Sequence, residues 1–135
     1  MKKSVLVLGL AALFLVSCGD KKKEEVKKEV ETVKQEVKKV VTDNLELGKK
    51  LFSEKTCIAC HQADMKVIGP SIKDINKIYA EQNGDMVKFL KGEAQPIVDT
   101  DPGQVAIMKA NLDGFVKDMS DEELAAIASY MKSVK

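Results

Sequence analysis

The sequence segment that decides the fold is Cys57-Ile58-Ala59-Cys60-His61. Two cysteines three positions apart are found in redox dithiols and in half of many zinc sites. A thioredoxin-like dithiol needs a strand before it and a βαβ pattern around it, whereas the flanking sequence here is helical. A zinc site needs at least one more Cys or His beyond this segment, and the sequence offers no suitable one. The adjoining His61 therefore favours a third interpretation, C-x-x-C-H, the signature of covalent haem attachment.

The cysteine count agrees with this interpretation. The 135-residue chain has three cysteines and one histidine, so a simple disulfide framework and a multi-histidine metal site are both excluded within one chain. If Cys18 is used elsewhere, Cys57 and Cys60 remain as a pair. The chain has 22 Lys and Arg against 21 Asp and Glu, and this balance is not that of a nucleic-acid-binding protein.

The first residues form a targeting segment. Met1-Lys2-Lys3 is a positive start and Val5 to Val16 is an apolar run too short for a stable membrane span. Cys18 follows at the end of that run, after Ser17, and this arrangement resembles a bacterial lipobox. The resemblance implies cleavage before Cys18 and acylation of this residue, so that the mature protein is anchored at the periplasmic face of a membrane. An ordinary signal peptide with an incidental cysteine is the alternative.

A spacer rich in Lys, Glu and Val follows the targeting segment. Its valines recur in steps of four and three, which is a heptad rhythm: Val26, Val30, Val33, Val37 and Val40. Two interpretations remain open, a solvated tether and a short coiled coil that dimerises the protein, and the shortness of the repeat favours the tether. We therefore expect a signal peptide at 1–17, a lipidated spacer at 18–44, a folded domain at 45–135, and a monomer with a weak coiled-coil dimer as the alternative.

Residues 45–135 resemble the class I monohaem cytochromes c over their whole length. The resemblance is carried by the C-x-x-C-H motif and three further segments: Leu47-Gly48-Lys49-Lys50-Leu51-Phe52, Gly69-Pro70, and the apolar stripe of the last helix, Leu124, Ile127, Ala128 and Met131. It implies an all-α fold of three to five helices around one covalent haem c. Gly48 is then the position where the last helix crosses the first, with Tyr130 close by.

The resemblance also assigns the site residues. Cys57 and Cys60 bind the haem by thioether bonds, His61 binds the iron, and the carbonyl of Pro70 accepts the other N–H of His61. In this family the loop before the last helix delivers a methionine to the other face of the iron. The irregular stretch from Glu93 to Met119 makes Met108 the expected ligand, with Met119 as the alternative.

Met119 has a competing structural role in the sequence. Ser120-Asp121-Glu122-Glu123 is a capping box at a helix start, and Met119 with Leu124 forms its hydrophobic staple. A second capping box is expected at Ser71 and Asp74, and a short helix from Asp85 to Lys91.

With both axial positions filled, the function expected is electron transfer and not catalysis, since no nucleophile–base pair is apparent. The expected partners are redox proteins, namely a quinol-oxidising complex and a terminal oxidase or reductase. Two other functions remain as alternatives: a haem-based ligand sensor with an open sixth position, and a permanent cytochrome subunit of a larger respiratory complex.

Overall fold

The computed structural model describes residues 21–135, and this part of the chain is helical. Five α-helices are present in it: α1 (Lys21–Glu54), α2 (Ile72–Glu81), α3 (Met86–Leu90), α4 (Pro102–Asn111) and α5 (Asp121–Ser133). The β-structure within these residues is an isolated bridge between His61 and Lys66. The expected all-α fold is confirmed. The expected targeting segment and lipidated cysteine, residues 1–20, lie outside the described residues.

The described chain forms two compact units, one up to Glu36 and one from Val37 onward. Helix α1 continues through residue 45, so the spacer and the first helix of the folded domain are one element. Its side chains are exposed from Val33 to Asn44, and Gly48, Leu51 and Phe52 are buried. Among residues 21–135 no helix combines the length and apolarity that a membrane crossing requires.

Helix α5 packs across the second half of α1. A Cβ atom added at Gly48 would overlap the carbonyl oxygen of Ala126 and come within 2.9 Å of Tyr130 Cβ. The rings of Phe52 and Tyr130 lie 5.4 Å apart at an interplanar angle of 59°, a tilted aromatic pair. The crossing at Gly48 agrees with the sequence, because only a residue without a side chain permits so close an approach of the two backbones.

Capping side chains fix the starts of α5 and α2. Ser120 accepts a hydrogen bond from Glu123 N, and the Glu123 carboxylate accepts one from Ser120 N at 2.8 Å, so the predicted capping box is present. Ser71 accepts from Asp74 N at 3.1 Å. In a capping box the carboxylate accepts from the backbone N–H of the first residue. Here Asp74 Oδ2 accepts instead from the Ser71 hydroxyl, at 2.7 Å. Ser71 is buried, so its hydroxyl needs this internal partner.

The predicted third helix is also present. α3 spans Met86–Leu90, its N-cap Asp85 accepts from Lys88 N at 3.1 Å, and Gly92 follows it with a φ of 75°. A positive φ favours glycine, which explains the residue at this helix end.

The stretch from Glu93 to Met119 is more regular than the sequence suggested. It contains α4 and a π turn at Leu112–Val116. The reason lies at the start of α4, where Asp101 accepts from Gly103 N at 2.9 Å and from Gln104 N at 3.1 Å. Pro102 occupies the first helical position, where its missing N–H has no cost. The Pro-Gly pair that suggests a loop is therefore part of a helix start.

Candidate haem site

The domain encloses a cavity of about 620 Å³. Its walls come from three parts of the chain: the Cys57–His61 segment, the Gly69–Pro70 turn, and the α4–π-turn region that carries Met108. The remaining lining is mainly apolar and includes buried core residues such as Phe52, Ile75 and Tyr79 as well as the segment from Phe89 to Asp99. A cavity of this size and character is suited to a large, mainly apolar prosthetic group.

The Cys57–His61 segment is a tight turn that directs three reactive side chains to this cavity. Cys57–Ala59 form a single 3₁₀ turn, and the carbonyl of Cys57 accepts from Cys60 N at 3.1 Å and from His61 N at 2.9 Å. Cys57, Cys60 and His61 are all half-buried and all line the cavity. The i, i+3, i+4 spacing therefore produces one cluster, as helical geometry requires.

The residue before this turn has an unusual backbone. Thr56 has φ 60° and ψ 11°, which is the left-handed region, and its side chain makes no capping hydrogen bond. This conformation is unfavourable for a β-branched residue. This unfavourable conformation occurs directly before Cys57, where the chain enters the C-x-x-C-H turn.

The two thiols are available for reaction with a ligand. Cys57 and Cys60 are not joined in a disulfide. Cys57 Sγ is 3.7 Å from the carbonyl oxygen of Lys55, to which it donates. Burial raises the pKa of the Cys57 thiol above its ordinary value, because an apolar environment disfavours the charged thiolate.

The imidazole of His61 is held by the turn that follows it. His61 Nδ1 lies 2.8 Å from the carbonyl oxygen of Pro70, and since a carbonyl only accepts, Nδ1 carries the proton. In the neutral imidazole with this tautomer, Nε2 is the nitrogen with a lone pair for a metal. A hydrogen bond of this kind orients a metal-binding histidine and makes it a stronger donor.

Gly69 supports the imidazole ring of His61, a role that the sequence did not predict. A Cβ atom at this position would lie 2.5 Å from His61 Cε1 and 2.9 Å from Nδ1. The ring therefore rests on the bare backbone of Gly69. The available signal was the Gly-Pro pair itself, of which only the proline carbonyl was assigned a role.

Of the five methionines within residues 21–135, four line the cavity and one does not. Met86 and Met131 lie in the buried core, 2% and 6% exposed. Met108, on α4, and Met119 are half-buried and line the cavity as well. Met65 is 62% exposed and is absent from the lining. Met119 also packs against the small cluster that contains Leu124, which agrees with its expected role as a hydrophobic staple.

An ion pair links two loops beside the cavity. Lys66 Nζ lies 3.3 Å from Asp99 Oδ2, and Asp99 Oδ1 accepts from Asp101 N at 3.2 Å. The backbone N–H of Asp101, followed by the Lys66 ammonium, holds the pKa of Asp99 below its ordinary value. The pair connects the loop after His61 with the segment that leads into α4. Asp99 lines the cavity, so this connection lies at the cavity wall.

These features fit a covalent haem. Two thiols and one oriented imidazole share a wall of an apolar cavity. Gly69 leaves room for the imidazole ring of His61, which a methyl group at this position would displace. An all-α fold with this arrangement defines a c-type haem protein.

Comparison with known proteins gives the family. Residues 45–135 match the family model described as cytochrome c. The chain is 33% identical to cytochrome c-552 of Nitrosomonas europaea over 85 residues, which are 63% of this chain and 76% of that protein. It is 31% identical to cytochrome c-551 of Pseudomonas aeruginosa over 88 residues, 63% of this chain and 74% of that protein. The chain belongs to the cytochrome c family, carries one covalently bound haem c and transfers electrons to and from redox proteins.

Proposed function

We propose that this protein is a membrane-anchored, monohaem c-type cytochrome that carries single electrons between respiratory partners on the periplasmic side. The observation that carries the proposal is the hydrogen bond from His61 Nδ1 to the carbonyl of Pro70, which leaves Nε2 for the iron beside two half-buried thiols. The bound haem supplies an iron that alternates between ferrous and ferric states, so it accepts and releases one electron at a time.

In this proposal Cys57 and Cys60 would hold the haem covalently and His61 would bind its iron. Pro70 fixes the ring orientation of His61 from behind. Two covalent bonds to one tight turn would restrict the group to one position, which suits a carrier that must present the same edge to each partner. The protein's part is to bind, orient and exclude water, and no residue is assigned a catalytic role.

Met108 would be the second iron ligand. It is half-buried, lines the cavity, and follows an α4 start that is fixed by the Asp101 cap. Met86 and Met131 are less suitable, because both are committed to the buried core. Met119 is the alternative ligand, although its position before the Ser120 cap gives it a structural role. A thioether ligand favours the ferrous state and raises the potential.

Anchoring is assigned to Cys18. Residues 1–17 are then the cleaved signal, residues 18–44 the lipidated spacer and residues 45–135 the cytochrome domain. Exposure of every side chain from Val33 to Asn44 supports a spacer role for this part of α1. Several acyl chains on one residue suffice for stable attachment where a single chain is marginal.

The partners we assign are a quinol-oxidising complex and a terminal oxidase or reductase. Residues 45–135 have twelve Lys against fourteen Asp and Glu, so this domain has no strongly basic surface for steering. Apolar side chains are instead exposed on the cavity lining, namely Ile68, Ile107 and Phe115, each between 46% and 50% exposed. They support a small, partly apolar docking surface of the kind that transient redox encounters use.

Optical spectra of the haem-loaded protein test the proposal, recorded oxidised and reduced for the wild type, Met108→Ala and Met119→Ala. We expect the sulfur-to-iron charge-transfer band in the wild type and its loss in Met108→Ala only. Met65→Ala is the matched control, because Met65 is exposed and does not line the cavity. Loss of the band in Met119→Ala alone would move the ligand to Met119 and preserve the carrier function.

The same spectra distinguish the carrier from the ligand sensor. A high-spin wild type that shifts on addition of carbon monoxide would establish an open sixth position. For the anchor, Cys18→Ser is expected to move the protein from the membrane fraction to the soluble periplasmic fraction. Continued membrane association of that variant would contradict lipidation of Cys18.

A further inference from the structure

The exposed part of α1 has a face of apolar side chains for which the haem site offers no use. Five residues of this face are between 38% and 59% exposed: Val30, Val33, Val37, Val40 and Leu47. Exposed valines within a helix have an entropic cost and no compensating contact within the described chain. Their spacing of three and four is that of a coiled-coil seam.

The heptad register includes one polar position that is informative. With Val30 and Val37 at position a, Val33, Val40 and Leu47 are at position d, and the remaining a position is Asn44. β-Branched residues at a favour two-stranded coiled coils, and a single Asn at a specifies the register and oligomeric state of such a dimer. Asn44 is exposed, so its amide is free to pair with an equivalent residue.

The flanking charges favour one orientation of two such helices. The g positions hold the acidic Glu36 and Asp43, and the e positions hold Lys34 and Val41. A parallel pair places g opposite e of the other helix, whereas an antiparallel pair places g opposite g and brings acidic residues together. In the parallel pair Glu36 faces Val41 and Asp43 faces Gly48 of the other helix, so this orientation avoids the acidic repulsion of the antiparallel one.

The seam has a defined end. The next apolar position, Leu51, is buried in the domain core, and Gly48 is covered by Ala126. The exposed seam thus stops at Leu47, and a short, valine-rich seam of this length gives a weak dimer.

We infer that two copies of this protein associate through a parallel coiled coil formed by residues 30–47 of α1, with the Asn44 side chains paired across the seam. This inference is independent of the identity of the haem ligands. It selects, for the spacer, the coiled coil over the free tether that the sequence alone favours.

Sedimentation equilibrium of the haem-loaded full chain in a neutrally buoyant detergent tests this inference, with detection at the haem absorbance. We expect a concentration-dependent monomer–dimer equilibrium in the wild type. Val37→Glu places a charge in the seam and should weaken association at least tenfold. Gln35→Glu is the matched control, because it adds the same charge at the outward f position and should leave association unchanged. Both residues are exposed, so the haem spectrum should be the same in both variants.

Cysteine cross-linking tests the orientation. In a parallel dimer the introduced thiols of Val40→Cys face each other and form a disulfide under mild oxidation, whereas Gln35→Cys and the wild type do not. A wild type that stays monomeric at all concentrations would overturn the inference. A dimer that persists in Val37→Glu would do the same, and a dimer that is not cross-linked through Val40→Cys would exclude the parallel arrangement.

Discussion

The Nδ1 atom of His61 and the carbonyl oxygen of Pro70 lie 2.8 Å apart and form a hydrogen bond, which leaves Nε2 as the lone-pair nitrogen of the neutral imidazole. The loop between these residues is itself tied back to the C-x-x-C-H turn, since Gly69 N donates to Cys60 O at 3.1 Å and Ile72 N to Gln62 O at 2.8 Å. The orientation of the imidazole is therefore set by backbone groups and is independent of any flexible side chain.

Gly69→Ala tests this arrangement. The added methyl group would lie 2.5 Å from His61 Cε1, so the ring must move away from its position. We expect a lower reduction potential, a partly high-spin spectrum, and a free energy of unfolding reduced by about 1–3 kcal/mol, as for other overpacked sites. Potentiometric titration and optical spectra measure the first two.

Gly114→Ala serves as its control, because a Cβ atom at Gly114 meets nothing within 4 Å. This variant should retain the wild-type potential and spectrum. A wild-type spectrum in Gly69→Ala would mean that the ring does not depend on the bare backbone of residue 69.

Gly48→Ala is predicted to destabilise the domain. The methyl group overlaps the backbone carbonyl of Ala126, which belongs to a helix and has little freedom to move. The helix-propensity gain of about 1 kcal/mol from replacing Gly with Ala is smaller than this steric cost, and we expect a net loss of about 2 kcal/mol. Urea unfolding measures it, with exposed Lys49→Ala as the control in the same helix turn. Equal midpoints for the two variants would contradict the close crossing.

Thr56→Gly is predicted to stabilise the protein. Thr56 has a φ of 60°, a region that costs a residue with a side chain about 1–2 kcal/mol and costs glycine nothing. Part of this gain is lost to the greater freedom of glycine in the unfolded chain, so we expect an increase of about 1 kcal/mol. Thermal unfolding of the haem-loaded protein measures the change.

The comparison variant is Asn83→Gly, since Asn83 has a φ of 51° but asparagine tolerates this region. Its gain should be smaller than that of Thr56→Gly. The reverse order would show that contacts of the Thr56 side chain offset the cost of its backbone conformation.

Asp99 is predicted to make stability depend on acid pH. Its pKa is lower in the folded protein than its ordinary value of 3.8, so the charged form stabilises the fold above that value. This contribution is lost as the pH falls through the folded pKa. Asp99→Asn removes the charge that faces Lys66, so the stability difference from the wild type should be constant at neutral pH and shrink below about pH 4.

Urea midpoints between pH 3 and pH 7 measure this difference. Asp118→Asn is the control, because Asp118 is exposed and forms no hydrogen bond or ion pair within residues 21–135. Parallel curves for Asp99→Asn and the wild type down to pH 3 would contradict the role of the Lys66 pair.

The sequence predicted those features that depend on local chemistry. The Ser120 capping box and the short helix after Asp85 each follow from a few neighbouring residues, and the structure has both. The crossing at Gly48 was predictable for a different reason, since the family resemblance supplied a long-range contact that periodicity alone does not provide.

Two features were not predicted in full, namely the extent of α4 and the continuity of α1. Helix α4 has no buried residue, so it has no apolar stripe, and its Pro102-Gly103 start was interpreted as a loop although Asp101 before Pro102 is a helix-start signal. The continuity of α1 was missed because the amino-acid composition changes near residue 44, whereas the backbone stays helical through this point.

The contact between Gly48 and Ala126 also has a consequence for the order of events in biosynthesis. It joins the beginning of the domain to its last helix, and loop closure over so long a segment has a large entropic cost that only the finished contact offsets. Because α5 is the last helix of the domain, this crossing forms only after the rest of the domain has been synthesised.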